Sequence, residues 1–246
     1  MNSYIVITIA YDNNPQVEGL KQAWGFACVI ESLSERLLFD AGRLGKLLLA
    51  NMAKLDLEPK GIDAVVLSHV DRDHTGGLAA FLQASADVSA FMPKTFPTRL
   101  KRIAHRHGAA VVETEGPCEV CPGSWTTGVL GNGIEEQGLY LKVRDGLVLV
   151  TGCAHPGIVR MAEAASRHAA MPVRAVLGGL HMKGASAREI TSVIDSLKGL
   201  GVQRVAPCHC SGTITRRLMK ESFAEGYVAA GVGSRLIFRT DPKEEP

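Results

Sequence analysis

The sequence predicts an α/β fold whose strand ends carry a metal site, and three observations lead there. Apolar runs of strand length alternate with segments of helical periodicity along most of the chain. Four of those runs, residues 63–67, 147–151, 173–177 and 202–206, each lead within a few positions to a histidine: His69, His155, His181 and His209. The loop Ser68-His69-Val70-Asp71-Arg72-Asp73-His74 then places two imidazoles and two carboxylates directly after the first of them. Ligand sites of α/β sheets gather where the carboxyl ends of strands meet.

The elements follow in order. Residues 4–10, 25–31 and 36–39 read as strands, and Leu44, Leu47, Leu48, Met52 and Leu55 fall at helical spacing. The strand 63–67 precedes the ligand loop, and a short helix starts near Gly76. Residues 91–138 are rich in Pro, Gly, Thr and charge, which suits an irregular, lid-like segment. Strands at 139–144 and 147–151 are expected to meet in a turn at Asp145-Gly146. A helix over 158–168, the strand 173–177, a helix over 187–200, the strand 202–206 and a closing strand at 234–240 complete the chain. No low-complexity segment or linker divides it, so 1–246 reads as a single domain.

Composition bounds the function. Hydrophobic residues make up 46% and charged residues 21% of the 246, as in an ordinary globular protein. A formal net charge of +2 speaks against a nucleic-acid binder driven by bulk electrostatics. No apolar run reaches membrane-spanning length, and residues 1–10 show neither a basic leader nor a small-residue cleavage site. The expected setting is therefore the cytoplasm, with no membrane or nucleic-acid partner and a small molecule as substrate. The six cysteines then read as thiols rather than a disulfide framework. Cys153, Cys208 and Cys210 are expected near the metal and Cys28 in the core; Cys118 and Cys121 have metal-like spacing but no second pair.

Five of the eight histidines (His69, His74, His155, His181 and His209) lie just after strand ends. A single one would read as a hydrogen-bonded loop residue, but the set favours a metal centre. Imidazole and carboxylate together suit zinc, iron or manganese, and can bring two ions close enough to share an activated water.

These residues resemble the metallo-β-lactamase superfamily. His69-x-Asp71-x-Asp73-His74, followed by Thr75-Gly76-Gly77-Leu78, is similar to the family's His-x-His-x-Asp-His loop. Leu37-Leu38-Phe39-Asp40-Ala41-Gly42 resembles its early strand ending in an Asp-x-Gly turn. Thr151-Gly152-Cys153-Ala154-His155-Pro156-Gly157-Ile158, Gly178-Gly179-Leu180-His181 and Pro207-Cys208-His209-Cys210 resemble a narrower branch. That branch includes archaeal enzymes similar in activity to dihydropteroate synthase, which join a dihydropterin to a phosphoribosyl-aminobenzene and expel pyrophosphate.

The resemblance implies an αββα four-layer sandwich with two divalent metal ions. One ion would take His69, Asp71 and His155, and the other Asp73, His74 and His209. The family's bridging acid falls, by order along the chain, at His181, with Cys153 as the secondary occupant. Asp73 is implied as the group that orients or deprotonates hydroxide, and His181 as the acid for a leaving group. Two departures stand out. His181 replaces an acid, and Asp71 replaces a histidine. A carboxylate at 71 either shifts preference from zinc towards iron or manganese or has lost its ligand role.

The implied function is a metal-dependent hydrolase-fold enzyme that uses hydroxide on a small phosphorylated or pterin-like substrate. A dihydropteroate-synthase-like transferase forming a C–N bond is the alternative. A diiron oxidoreductase or a non-catalytic metal or ligand sensor follows, the former weakened by the absence of a flavodoxin-like stretch and a flavin loop. Lys94, Arg99, Lys101, Arg102 and Arg106, with His105 and His107, form either a phosphate-gripping patch or, as favoured, the solvated face of a helix over 97–107. Arg43 and Lys46 call for similar restraint. Trp24 and Trp125 suit either pterin stacking or core packing.

Overall fold

The computed structural model describes residues 4–32, 35–85 and 87–240. Residues 1–3 and 241–246 of the expected single domain lie outside them. The described residues form β1 (Tyr4–Tyr11), β2 (Ala27–Glu31), β3 (Arg36–Phe39), α1 (Gly45–Lys54), β4 (Ala64–Val66), α2 (Arg72–Thr75), α3 (Leu78–Ala84), β5 (Ser89–Pro93), α4 (Thr98–Arg106) and β6 (Ala110–Thr114). The second half adds β7 (Glu119–Cys121), β8 (Ser124–Thr126), β9 (Leu139–Val143), β10 (Gly146–Thr151), α5 (Ile158–Ala169), β11 (Val173–Gly179), α6 (Ala187–Gly199), β12 (Arg204–Cys208), α7 (Thr213–Phe223) and β13 (Arg235–Arg239).

Two sheets result, in the orders β13-β1-β2-β3-β4-β5-β6 and β12-β11-β10-β9-β8-β7. Residues of both sheets, among them Ile7, Phe39, Val66, Leu139, Val148 and Leu177, bury their side chains against one another as the central core. The outer face of the first sheet packs on α1, α3 and α4 through Leu48, Met52, Phe81 and Ala104. That of the second packs on α5, α6 and α7 through Met161, Ile194 and Met219. Helix, sheet, sheet and helix layers therefore stack as the resemblance implied.

Sequence character decides where each strand sits. β10, Gly-Leu-Val-Leu-Val-Thr, is buried along its whole length because it lies between β9 and β11 with cores on both faces. β13, Arg-Leu-Ile-Phe-Arg, alternates exposed and buried as an edge strand with one solvated face. α6 starts at Ser186, whose hydroxyl accepts from the Glu189 N–H while the Glu189 carboxylate accepts from the Ser186 N–H. This reciprocal cap satisfies two of the amide donors that every helix start leaves open.

Residues 91–138 are more regular than expected. They hold the end of β5 with β6, α4, and β7 with β8, so they finish one sheet and begin the other. The helix expected to begin near Gly76 is α3, and the short α2 forms before it within the ligand loop. The last strand before His209 runs 204–208 rather than 202–206, which brings that histidine directly to the strand end.

Candidate metal centre

Parallel pairing of β3 with β4, of β10 with β11, and of β11 with β12 points the carboxyl ends of these strands to one edge. The backbone is unusual there. Asp40, Ala154, His181 and His209 all adopt left-handed conformations with φ of 58°, 59°, 51° and 47°. Such non-glycine residues cost of order 1–3 kcal/mol each and persist only where their surroundings hold them.

The surroundings of Asp40, Ala154 and His209 do so through buried carboxylates, and the His181 N–H donates to Cys210 Sγ at 3.3 Å. Asp40, just past β3, accepts from the Ser68 N–H at 2.8 Å, from the Ser68 hydroxyl at 2.7 Å and from His74 Nδ1 at 2.7 Å. Glu136 sits inside the loop after β10. Its Oε1 accepts from the N–H groups of Gly152, Cys153 and Ala154 at 3.1, 2.9 and 2.9 Å, and its Oε2 from that of His155 at 2.8 Å. Asp12 accepts from the His209 N–H at 3.0 Å, and Asn13 Oδ1 lies 2.9 Å from His209 Nδ1. Gly152 is required where the two loops meet. A Cβ there would lie 2.2 Å from the Ser68 hydroxyl and 2.8 Å from Asp40 Oδ2.

Two matched sets of side chains project from this frame. Asp71 Oδ2 lies 3.5 Å from His69 Nε2 and 3.7 Å from His155 Nε2. Asp73 Oδ2 lies 3.6 Å from His74 Nε2 and 3.4 Å from His209 Nε2, and the two Nε2 atoms are 3.2 Å apart. Ligands about 2.0–2.3 Å from one tetrahedral ion stand roughly 3.3–3.8 Å from each other, so both sets have metal-ligand spacing. The Nε2 atoms of His69 and His155 are buried without a hydrogen-bond partner. Orphaned buried nitrogens of this kind fit a site for a cation. Cys153 Sγ belongs with His69 and His155 and also with His74 and His209, each group closing within 4.8 Å.

The charges fit a cation as well. Burial lowers the pKa of His69, but the Asp71 carboxylate 3.5 Å from its Nε2 and the charges of Glu136 and Asp40 outweigh it and raise the value to about 9. Asp71 is lowered by that same pairing. Burial raises Asp73, yet the hydrogen bond to His209 and the charges of His74 and His209 hold it well below the usual carboxylate range. His155 is lowered by burial and by His69. His181 is raised, first by its hydrogen bond with Cys210, and Cys210 is lowered to about 4 by bonds with Cys153 and His181.

The expected ligands His69, Asp71, Asp73, His74, His155 and His209 thus converge. His181 does not stand between the two sets. It is exposed, with its ring 4.2 Å from that of His155, and groups only with Cys153 and Cys210. The residue common to both sets is Cys153. All six cysteines are free. Cys210 lies near the centre, with its Sγ 3.3 Å from that of Cys153, whereas Cys208 joins Cys28 and Cys121 in the core between the sheets.

Glu136, Asp12 and Asn13 escaped the sequence reading, and Asp40 entered it as part of a turn motif without a role at the centre. Glu136 had no such signal. Trp24 tilts over His209 at 4.9 Å, while Trp125 stacks on Tyr140 in the second sheet, away from the centre. Helix α4 buries Ala104 and presents a charged surface; Lys94 pairs with Glu115 at 2.8 Å and Lys101 with Glu113 at 3.0 Å. Cations instead gather beside His209, in a cavity of about 430 Å³ lined by Trp24, Lys183, Arg216, Arg217 and Lys220. Lys183 Nζ lies 4.9 Å over the Trp24 ring.

Comparison with known proteins agrees with this architecture. Residues 27–209 match the family model of the Metallo-beta-lactamase superfamily. The chain is 29% identical to a 7,8-dihydropterin-6-methyl-4-(beta-D-ribofuranosyl)-aminobenzene-5'-phosphate synthase of Methanocaldococcus jannaschii, covering 87% of this chain and 88% of that protein. A crystal structure of a metal-dependent hydrolase of the beta-lactamase superfamily superposes with a TM-score of 0.79 at 23% identity, covering 94% and 98% of the two chains. The metallo-beta-lactamase fold protein YhfI from Bacillus subtilis superposes at 0.72 with 14% identity, covering 96% and 99%.

Proposed function

The chain belongs to the metallo-beta-lactamase superfamily, and from that premise we propose a cytoplasmic, single-domain, metal-dependent enzyme acting on a small phosphorylated, pterin-like substrate. His69, Asp71 and His155 would hold one divalent ion, and Asp73, His74 and His209 a second. The observation that carries this reading is the pair of matched histidine–histidine–aspartate sets, with two buried imidazole nitrogens lacking any other partner.

When bound, two such ions polarise a substrate oxygen and lower the pKa of water from 15.7 to about 7, making hydroxide available at neutral pH. The chain supplies the rest. Asp73, held ionised, can orient that nucleophile by accepting a hydrogen bond from it. His181 stands exposed beside His155, and its hydrogen bond with Cys210 raises its affinity for a proton, which suits an acid that protonates a leaving group at neutral pH. Arg216, Arg217, Lys220 and Lys183 line the cavity beside His209 and suit a phosphate, while Trp24 offers a face for a flat ring.

Hydrolysis is the general chemistry of the fold. Formation of a C–N bond between a dihydropterin and a phosphoribosylated aminobenzene is the second reading, favoured by the named activity of the Methanocaldococcus relative. The test is a panel of phosphoesters, lactones and the dihydropterin pair, offered to protein loaded in turn with zinc, iron and manganese. Turnover of a phosphorylated member is expected, and the product separates hydrolase from synthase. Tight metal binding with no turnover on any member would leave a metal or ligand sensor instead.

A further inference from the structure

Among the described residues, no carboxylate groups with both ligand sets. Asp71 contacts one set and Asp73 the other. Asp40 and Glu136 are taken up by the hydrogen bonds that frame the loops. The side chain that does reach both sets is a thiol. Cys153 Sγ closes a ligand-sized group with His69 and His155, and another with His74 and His209, at 3.4 Å from His74 Nε2. It is 5% exposed, on a backbone fixed by the Glu136 carboxylate. The Nε2 atoms of His69 and His155, buried and unpartnered, belong to the same site.

We propose that the Cys153 thiolate is a shared ligand, bridging the two metal ions from the position where a carboxylate would otherwise stand. This rests on the two-ion reading above and adds to it a soft donor common to both ions. One sulfur at about 2.3 Å from each of two ions accommodates a separation of about 3.5–4 Å. Cys210, whose Sγ lies 3.3 Å from that of Cys153, stands behind the bridge as a hydrogen-bond partner rather than a ligand of either set. A thiolate alongside imidazoles and carboxylates favours iron or zinc over manganese, because manganese prefers oxygen donors.

The test strips the full-length protein with a chelator and titrates it anaerobically with cobalt(II), reading bound cobalt and the near-ultraviolet thiolate-to-cobalt charge-transfer absorption. In the wild type that absorption should grow through two equivalents. Cys153→Ser should abolish it and weaken the second equivalent by at least about tenfold, whereas Cys210→Ser should keep it. Cys153→Asp should restore two ions per chain without the absorption, with circular dichroism confirming that each variant is folded. Two bound cobalt ions without the absorption, its survival in Cys153→Ser, or its saturation at one equivalent would each overturn the bridge while leaving the two-ion centre standing. A folded wild type that binds no cobalt would remove the two-ion reading and the bridge with it.

Discussion

Around His74 and His209 each imidazole is backed by an oxygen, that of the buried Asp40 at 2.7 Å and that of the half-buried Asn13 at 2.9 Å, and the Asp73 side chain is 17% exposed. Around His69 and His155 only the first imidazole has an oxygen behind it, and the carboxylate of the set is more exposed. His69 Nδ1 meets the Ser68 hydroxyl at 2.8 Å, His155 is held through its backbone N–H on Glu136, and the Asp71 side chain is 41% exposed. The same residue types are therefore prepared to different degrees. Partners behind a ligand fix its tautomer and direction, and removing them usually costs 10–100-fold in metal affinity. The half built on residues 73, 74 and 209 should fill first and hold its ion more tightly. The half built on 69, 71 and 155 should exchange more readily.

The largest effect should come from His74→Ala, which removes a ligand from the better-held half. Metal content measured by elemental analysis should fall by at least one ion per chain, and unchanged stoichiometry would contradict the assignment. Asp40→Ala should come next, since it leaves the Ser68 N–H, the Ser68 hydroxyl and His74 Nδ1 without their acceptor. A buried donor left open costs about 1–3 kcal/mol. The apo protein should melt well below the wild type, and metal affinity should fall about 10–100-fold. A variant with unchanged melting and affinity would mean that Asp40 does not position the histidine.

Acidity separates the half at His69 and His155 in another way. The pKa of His69 is raised from 6.5 to about 9 in the folded chain. In metal-free protein its contribution to stability is therefore fully present below about pH 6.5 and is lost as pH rises through about 9. Metal must displace that proton, so affinity for the ion at this half should rise over the same interval. Melting of apo protein and metal titration at pH 6.5, 7.5 and 9 should move in opposite directions; parallel trends would exclude His69 as the group responsible. A smaller effect is expected from Asp71→His, which exchanges a hard oxygen for imidazole and should shift occupancy towards zinc in competition with equal iron and manganese. Occupancy identical to wild type would mean that Asp71 is not a ligand.

The contrast between the halves also shows what a single sequence discloses. His69, Asp71, Asp73 and His74 stand in one short loop after an apolar run, and His155 and His209 follow strands of their own, so strand ends alone gather the ligands. The architecture was legible for the same reason, because runs such as 147–151 are apolar enough to declare themselves as buried strands. Residues 91–138 hid theirs. β7 and β8 are three residues each, and β6 is half exposed, so neither length nor alternation marks them. The supports of the better-held half were hidden by distance along the chain: Asp12 meets His209 across 197 residues. Glu136 closes on the loop 152–155 through backbone amides, which leave no trace in side-chain spacing. Chain order favoured His181 for the shared position, and only the fold brings Cys153 to both sets.

Calorimetric titration of the metal-free, full-length chain with a single divalent metal tests the central claim most directly. The account predicts two ions per chain in two resolved events, with the tighter event lost in His74→Ala and the weaker one lost in His69→Ala. One event, or two that respond identically to both substitutions, would contradict a centre built from two unequal halves.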